Sequence, residues 1–351
     1  QQMAYALEQI ADALGTKADA NKVYGIEIDK NDSNPATRVH YIDDAQGFTP
    51  MQMNLTTGVV SMNDWEGSFP IKSFRPVMLK SDGTVDYELH HEDQRYKLDG
   101  VTASDISNTA YDGNAMVGRK PIYVYRHENE NYIYKHFSKK KQTDDFKCFA
   151  NLADDGVTVL DECFSQMFEG CNVNNVVRSL AGQTPMNNVA GATEISYAEA
   201  NGSGWTLDDW SHRKLIEDLL QLLYRSTDIQ AANGNGHYSG GSQASHLLQT
   251  GSLKDKGMFY GTSGNVASKV FWMENFYGDR WDRIHGCVLI SGEICIKMRP
   301  PYNQTGDGYI HTGVTLSGTS GGYISQMKGT EYGDLPKVVS GSDSTYWPDG
   351  M

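Results

Sequence analysis

The chain runs to 351 residues, enough for two or three domains of ordinary size and for a core that needs no disulfide staples. Lys and Arg number 30 against 44 Asp and Glu, a formal charge of −14, and the tightest basic run is Lys139, Lys140 and Lys141; this argues against nucleic acid as the main partner, because phosphate binding requires clustered cations. No apolar run reaches the ~20 residues that span a bilayer, so membrane insertion is not expected; the densest run, Leu215 to Tyr224, is broken by Glu217, Asp218 and Gln221.

Met3, Leu7, Ile10 and Leu14 recur at spacings of 4, 3 and 4, with Ala4 and Ala11 beside them. This is an a/d heptad seam closed by Gly15, and so short a helix is marginal unless it packs on something. The expectation is a helical oligomerisation stem over residues 1–21, with the four side chains as an interchain seam, threefold. A short amphipathic helix packed on its own domain is the alternative.

Residues 22–120 read as a β-rich N-terminal part. Val23 to Ile28 and Met51 to Leu55 alternate, and Asp82-Gly83 and Asp112-Gly113 are turn signals. PIYVYRHE and NYIYKHF then form a predicted hairpin across Glu128 to Asn131, with Tyr123, Tyr125, Tyr132 and Tyr134 distributed over its faces. The clearest helix follows Thr206, read as its cap, with Asp208 and Asp209 in the first turn. Leu215, Leu219, Leu222 and Leu223 make one stripe, widened by Ile216 and Leu220, and the helix is expected to end near Ser226. Ala231 to Gly241 is loop. Val270 to Trp272 and residues 287–298 read as strands, the latter folded into a hairpin at Ser291-Gly292. From Tyr302 onward the pattern is Gly-rich loop.

Several chemical motifs fail on inspection. Asp29, Asn31 and Asp32 suggest a calcium loop, but Asn34 and His40 stand where Gly and a bidentate Glu are required. His90, His91, Glu92 and Asp93 lack the His-Glu-x-x-His spacing, because Arg95 takes the place of the second His. The Gly234 to Gly240 loop follows a helix, whereas a dinucleotide fingerprint follows a strand. The five cysteines, Cys148, Cys163, Cys171, Cys287 and Cys295, form neither a disulfide framework nor a zinc pattern. Cys287 and Cys295 are placed to face each other across the hairpin, as small apolar strand residues. No cofactor, metal or catalytic residue is expected.

Two stretches carry a resemblance beyond pattern. One joins Arg178-Ser-Leu-Ala-Gly-Gln-Thr-Pro185 to GWTLDDWSHRKLIEDLLQLLYRSTDIQ at 204–230; the other is GMFYGTSGNVASKVFWMENFYGDRWDRIHG at 257–286. Together they resemble the C-type-lectin-like domain shared by formylglycine-generating enzymes and the variable proteins of diversity-generating retroelements. That family places a cluster of the form Asn-x-x-Gly-Asn-x-Trp-Glu-Trp after its main helix. Asn275, Gly278, Asp279 and Trp281 match it here, with Asp279 in place of Asn and Asp282-Arg283 in place of Glu-Trp. The resemblance implies a tight turn at Gly278, a buried Trp281, and Asn275 and Asp279 bonded to loop backbone. Over most of residues 23–347, from EIDKNDSNPATRVHYID through FRPVMLKSDGTVDYEL, the chain also resembles virion proteins of tailed phages of gut Firmicutes, usually labelled tail or fibre proteins. The family's redox cysteine pair has no match here. Neither do the Glu-Pro-Asn, Gln-Pro-Asp and Trp-Asn-Asp signatures of calcium-dependent sugar binding. TYWPDGM ends the sequence where the family's closing Arg-Gly-Gly-Ser stretch would follow. The C-terminal end is therefore expected to be incomplete.

The fold class expected is α+β: the helical stem, the β-rich part, and a C-type-lectin-like domain over 121–351 with one main helix and short antiparallel strands. The resemblance implies a homotrimeric virion protein, assembled in the bacterial host cytoplasm beside other virion proteins. As a tail-fibre, tail-tip or head-fibre adhesin it would bind a host cell-surface glycan or protein without catalysis. A purely structural baseplate, collar or capsid-decoration protein is the first alternative. A cell-wall glycan hydrolase, which needs a carboxylate pair roughly 5–9.5 Å apart, is the second. Tyr302, Asn303, Tyr309, Tyr323, Tyr332, Tyr346 and Trp347 are the expected ligand-binding residues, because aromatics in Gly-rich loops give rigid contacts at low entropic cost. Burial against each other or against neighbouring subunits is their alternative role.

Overall fold

In the computed structural model the described residues are 21–238, 247–278, 282–318 and 323–339. Met3, Leu7, Ile10 and Leu14 of the expected seam, Asp279 and Trp281 of the turn motif, and Tyr346 and Trp347 lie outside them. The first half of the chain builds two four-stranded antiparallel sheets. β1 (Val23–Asp29), β2 (Val39–Asp43), the small hairpin of β3 (Gln52–Asn54) and β4 (Val59–Ser61), and α1 (Phe69–Lys72) come first. β5 (Phe74–Lys80), β6 (Val85–Glu88), β7 (Gly113–Arg119), β8 (Tyr123–Glu128), β9 (Tyr132–Ser138) and β10 (Cys163–Gln166) complete the sheets, ordered β2-β1-β9-β8 and β10-β7-β5-β6.

The second half adds the hairpin of β11 (Cys171–Val173) and β12 (Val176–Arg178), then helices α2 (Gly191–Glu199), α3 (Trp210–Tyr224) and α4 (Ile229–Asn233). A minimal hairpin of β13 (Lys269–Val270) and β14 (Met273–Glu274) precedes two three-stranded sheets. These are β15 (Cys287–Ile290), β16 (Glu293–Ile296) and β17 (Ile310–Thr315), and then β18 (Ser317–Gly318), β19 (Ile324–Thr330) and β20 (Gly333–Val339).

The expected fold class is thereby corrected. Among the described residues strand accounts for 34% and helix for 13%, with four helices and several antiparallel sheets, so this part of the protein is β-rich and is not built around a single main helix; the expected stem over 1–21 lies almost wholly outside the described residues. The cause is local: outside 210–224 the chain is dominated by alternating and Gly- or Asx-punctuated segments, which favour strands and turns. β1 also pairs with β9 from Val23↔Ser138 to Asp29↔Tyr132. The segments before and after residue 120 therefore share a sheet.

The predicted hairpin at 121–137 forms as β8 and β9, in register Tyr123↔Ser138 to Glu128↔Ile133. Val124, Ile133 and Phe137 point inward and are buried. The four tyrosines are half-buried on the other face, where Tyr125, His127, Tyr134 and His136 stack ring on ring. Ser291 and Gly292 both take positive φ (51° and 84°) and turn β15 into β16, as a two-residue hairpin requires. The cysteines differ from expectation. Cys287 sits opposite Ile296, and Cys295 opposite Val288, so the two thiols lie on opposite faces of the ribbon.

Val270 to Trp272 is not a continuous strand. Phe271 (φ 48°) and Trp272 (φ 61°) form the turn between β13 and β14, a strained conformation for aromatics that burial of both rings sustains. The acidic loops resolve into ordinary turns. Asp29 accepts from Asn31 N–H, Asp32 accepts from Asn34 N–H, and His91 pairs with Glu88 at 2.8 Å.

The cap of helix α3 lies three residues later than predicted. Asp209, not Thr206, accepts the free amide of His212 at 2.9 Å, and Arg225 in the left-handed region (φ 50°) ends it. Its apolar stripe lies in the core, and every other residue of the helix is buried as well. Burial forces its charged side to find partners. Asp218 takes Arg126 Nε at 2.6 Å and the Lys135 ammonium; Lys135 also reaches Gln221 Oε1 at 2.6 Å and Asp334 Oδ2 at 2.5 Å. One buried lysine thus joins the β8–β9 hairpin, α3 and β20.

Candidate ligand-binding cleft

Where α2, the loop before α3, the start of β15 and the loop after β16 meet, they enclose a cleft of about 700 Å³. That is the size of a small-ligand site. Ile195 and Leu207 give it apolar wall, Trp205, Tyr302 and Tyr309 aromatic wall, and Asp154, Glu199, Arg283 and His285 polar groups. Glycines 191, 202, 204 and 286 keep the lining close to backbone. Gly286 (φ 80°) is required: a Cβ there would stand 2.3 Å from the Lys297 carbonyl oxygen.

The N-terminus of α3 holds the centre of the cleft. His285 N–H donates to the Asp208 carbonyl at 2.8 Å, and Trp210 N–H donates to the His285 carbonyl at 2.9 Å. The ring is fixed in turn by Thr206 Oγ1, 2.7 Å from Nδ1, and by Tyr302, whose ring centroid lies 5.0 Å away at a tilt of 49°. Burial pushes the imidazole pKa down, against the opposing pull of Asp209 and Glu199. His285 is therefore a neutral donor–acceptor at pH 7. Tyr302 Oη is buried without a partner among the described residues, and burial pushes its pKa up. Trp205 is locked by a 2.9 Å bond from Nε1 to the Ser81 carbonyl, and Arg283 by the Val189 carbonyl and Glu194. Arg299 holds Asp154 at 2.9 Å. The walls are thus pre-formed.

Three expected ligand residues come together here: Tyr302, Asn303 and Tyr309. Their roles differ. Asn303 organises its own loop, its Oδ1 accepting from Gly306 N–H at 2.8 Å and its Nδ2 donating to the Asp307 carbonyl at 2.8 Å. Tyr309 is only 7% exposed and donates to the Asn303 carbonyl at 3.0 Å. Tyr332 lies elsewhere, against Phe149 at 5.6 Å and over the small core that includes Trp210. Tyr323 is 38% exposed just ahead of β19. The five described residues therefore do not make one outward face.

Of the turn motif, Gly278 has φ 90°, and a Cβ would meet the His237 carbonyl oxygen at 2.9 Å. Asn275 is buried, but its Nδ2 donates to Glu169 at 2.8 Å rather than to loop backbone. His285, Trp205 and Glu199 are not singled out by the sequence, and Thr206 is read there only as a helix cap. A lone His beside Gly, or one Trp after Gly-Ser-Gly, carries no spacing signal.

A pH dependence follows from His285. In the unfolded chain it takes a proton near pH 6.5, and in the fold only at lower pH. The unfolded state therefore binds more protons in that interval, and stability falls as pH drops below about 6.5. We expect Tm to decline from pH 7 to pH 5, and His285→Gln to flatten that decline. An unchanged profile in the variant would remove His285 from the account.

No family model matches the chain, and neither does any curated protein.

Proposed function

We propose that the chain is a binding protein of a tailed-phage virion, a tail-fibre, tail-tip or head-fibre adhesin, acting as a homotrimer beside other virion proteins. Its ligand is a host cell-surface glycan held in the cleft between α2, α3 and β15. The observation that carries this reading is the composition of the cleft. Rigid aromatic walls offer flat apolar faces to sugar rings, and neutral His285, Glu199 and Asp154 offer hydrogen-bond partners to hydroxyls. The overall acidity matches a neutral ligand better than a phosphate-rich one. Binding without turnover is part of the proposal.

A purely structural virion role is the second reading. It is favoured by Tyr309 and Tyr332 packing inward rather than outward. Incubating the purified protein with intact cells of gut Firmicutes separates the readings. The adhesin reading expects saturable retention on at least one strain, with no glycan fragments released. Absence of retention on every strain supports the structural role, and release of reducing ends over time would make the protein a hydrolase.

A further inference from the structure

A cluster of metal-ligating side chain types lies on the β15–β16–β17 sheet, on the face opposite Ile294 and Ile296 of the Trp210 core. Glu293 and Cys295 stand two apart on β16, so both project from the same face. Cys295 is paired with His311 on β17. Between the pairs Glu293↔Thr315 and Cys295↔His311, two steps along β16 meet four along β17. The bulge turns at Gly313 (φ 71°) and bends β17 so that His311 reaches both residues of β16. His311 Nδ1 lies 2.9 Å from Glu293 Oε2 and 3.5 Å from Cys295 Sγ. The donor atoms of all three residues lie within 4.8 Å of one another.

We propose that Glu293, Cys295 and His311 form a divalent transition-metal site, with zinc as the fitting ion. A tetrahedral zinc with Zn–S of ~2.3 Å and Zn–N of ~2.0–2.1 Å separates sulfur from nitrogen by about 3.5–3.6 Å. The observed 3.5 Å meets that requirement without rearrangement. The Glu–His contact at 2.9 Å has to open by a few tenths of an ångström, within reach of a glutamate side-chain rotation. Thiolate, imidazole and carboxylate together suit zinc better than calcium or magnesium, which take oxygen alone. The carboxylate is already oriented, because its other oxygen accepts Gly313 N–H at 2.8 Å. His311 has 60% of its side chain exposed, which leaves an entry path and a fourth position for water. Binding would take a thiol proton into solvent and tie β16 to β17 across the bulge.

The test titrates the full chain with Co²⁺ and then Zn²⁺, each metal alone. One Co²⁺ per chain should bind with a thiolate-to-cobalt charge-transfer band that Zn²⁺ abolishes. Cys295→Ser should remove the band. His311→Ala, at an exposed position that leaves folding intact, should weaken Zn²⁺ binding by more than about 100-fold, beyond what loss of an outer-shell partner costs. Cys287→Ser, on the opposite face, should change neither. No charge-transfer band in the wild type, or a band that survives both Cys295→Ser and His311→Ala, would overturn the site.

Discussion

Lys135→Met should destabilise the protein by about 3–5 kcal/mol, because it removes one partner from a buried charge cluster and leaves the others uncompensated. Lys135 is fully buried, and among the described residues its ammonium is the one partner of the Asp334 side chain. Asp218 keeps Arg126 at 2.6 Å, but Asp334 would be left as a bare buried carboxylate. Burial alone would push the Asp218 carboxyl up; the Lys135 and Arg126 charges hold it below its ordinary value, and the same attraction holds the Lys135 ammonium above its own. The double change Lys135→Met with Asp334→Asn should recover part of the loss, since a neutral amide costs less to bury than a charge. Urea unfolding of the two variants measures this. A loss below about 1 kcal/mol in the single variant would mean the cluster is solvated and the helix less enclosed than described.

The second large effect is at Trp210. Its ring is fully buried at the N-terminus of α3, in a small core with Ile294, Ile296, Met298, Val314 and Leu335. Nε1 donates to the Tyr332 carbonyl at 2.9 Å, and the Lys214 ammonium lies 4.7 Å from the ring centroid. Trp210→Ala should cost about 3–5 kcal/mol through the cavity it leaves. Trp210→Phe keeps most of the packing, gives up the indole bond, and should cost about 1–3 kcal/mol. Both variants keep the backbone N–H of residue 210 that holds the His285 carbonyl, so the losses report the side chain alone. Equal effects of Ala and Phe in thermal unfolding would place the weight on the indole bond rather than on packing.

Local pattern made part of this fold legible. The β8–β9 hairpin follows from alternation on either side of a polar turn, and the β15–β16 turn from Ser291-Gly292. Helix α3 follows from its leucine stripe, although its cap moved to Asp209 because Thr206 is committed to His285. Other features depend on partners distant in sequence. The polar face of α3 looks solvated until Arg126, Lys135 and Asp334 are placed against it. Phe271 and Trp272 read as strand because aromatics avoid positive φ, and only tertiary burial reverses that preference. Helix α2, GATEISYAE, buries only Ala198 and so lacks a stripe to find. In the cleft, Tyr302 and Tyr309 stand out by composition, whereas His285 becomes visible only when β15 is stitched to the start of α3.

In the proposed function the cleft between α2, α3 and β15 holds the glycan. Ser203 lines its rim and is exposed, so Ser203→Trp fills the space without touching the core. Calorimetric titration with cell-wall polysaccharide, isolated from a strain that retains the protein, provides the measurement. We expect saturable binding by the wild type and a loss of at least tenfold in affinity for Ser203→Trp, about 1.4 kcal/mol, at unchanged Tm. Equal affinity of the two proteins would contradict the account and place any ligand elsewhere on the surface.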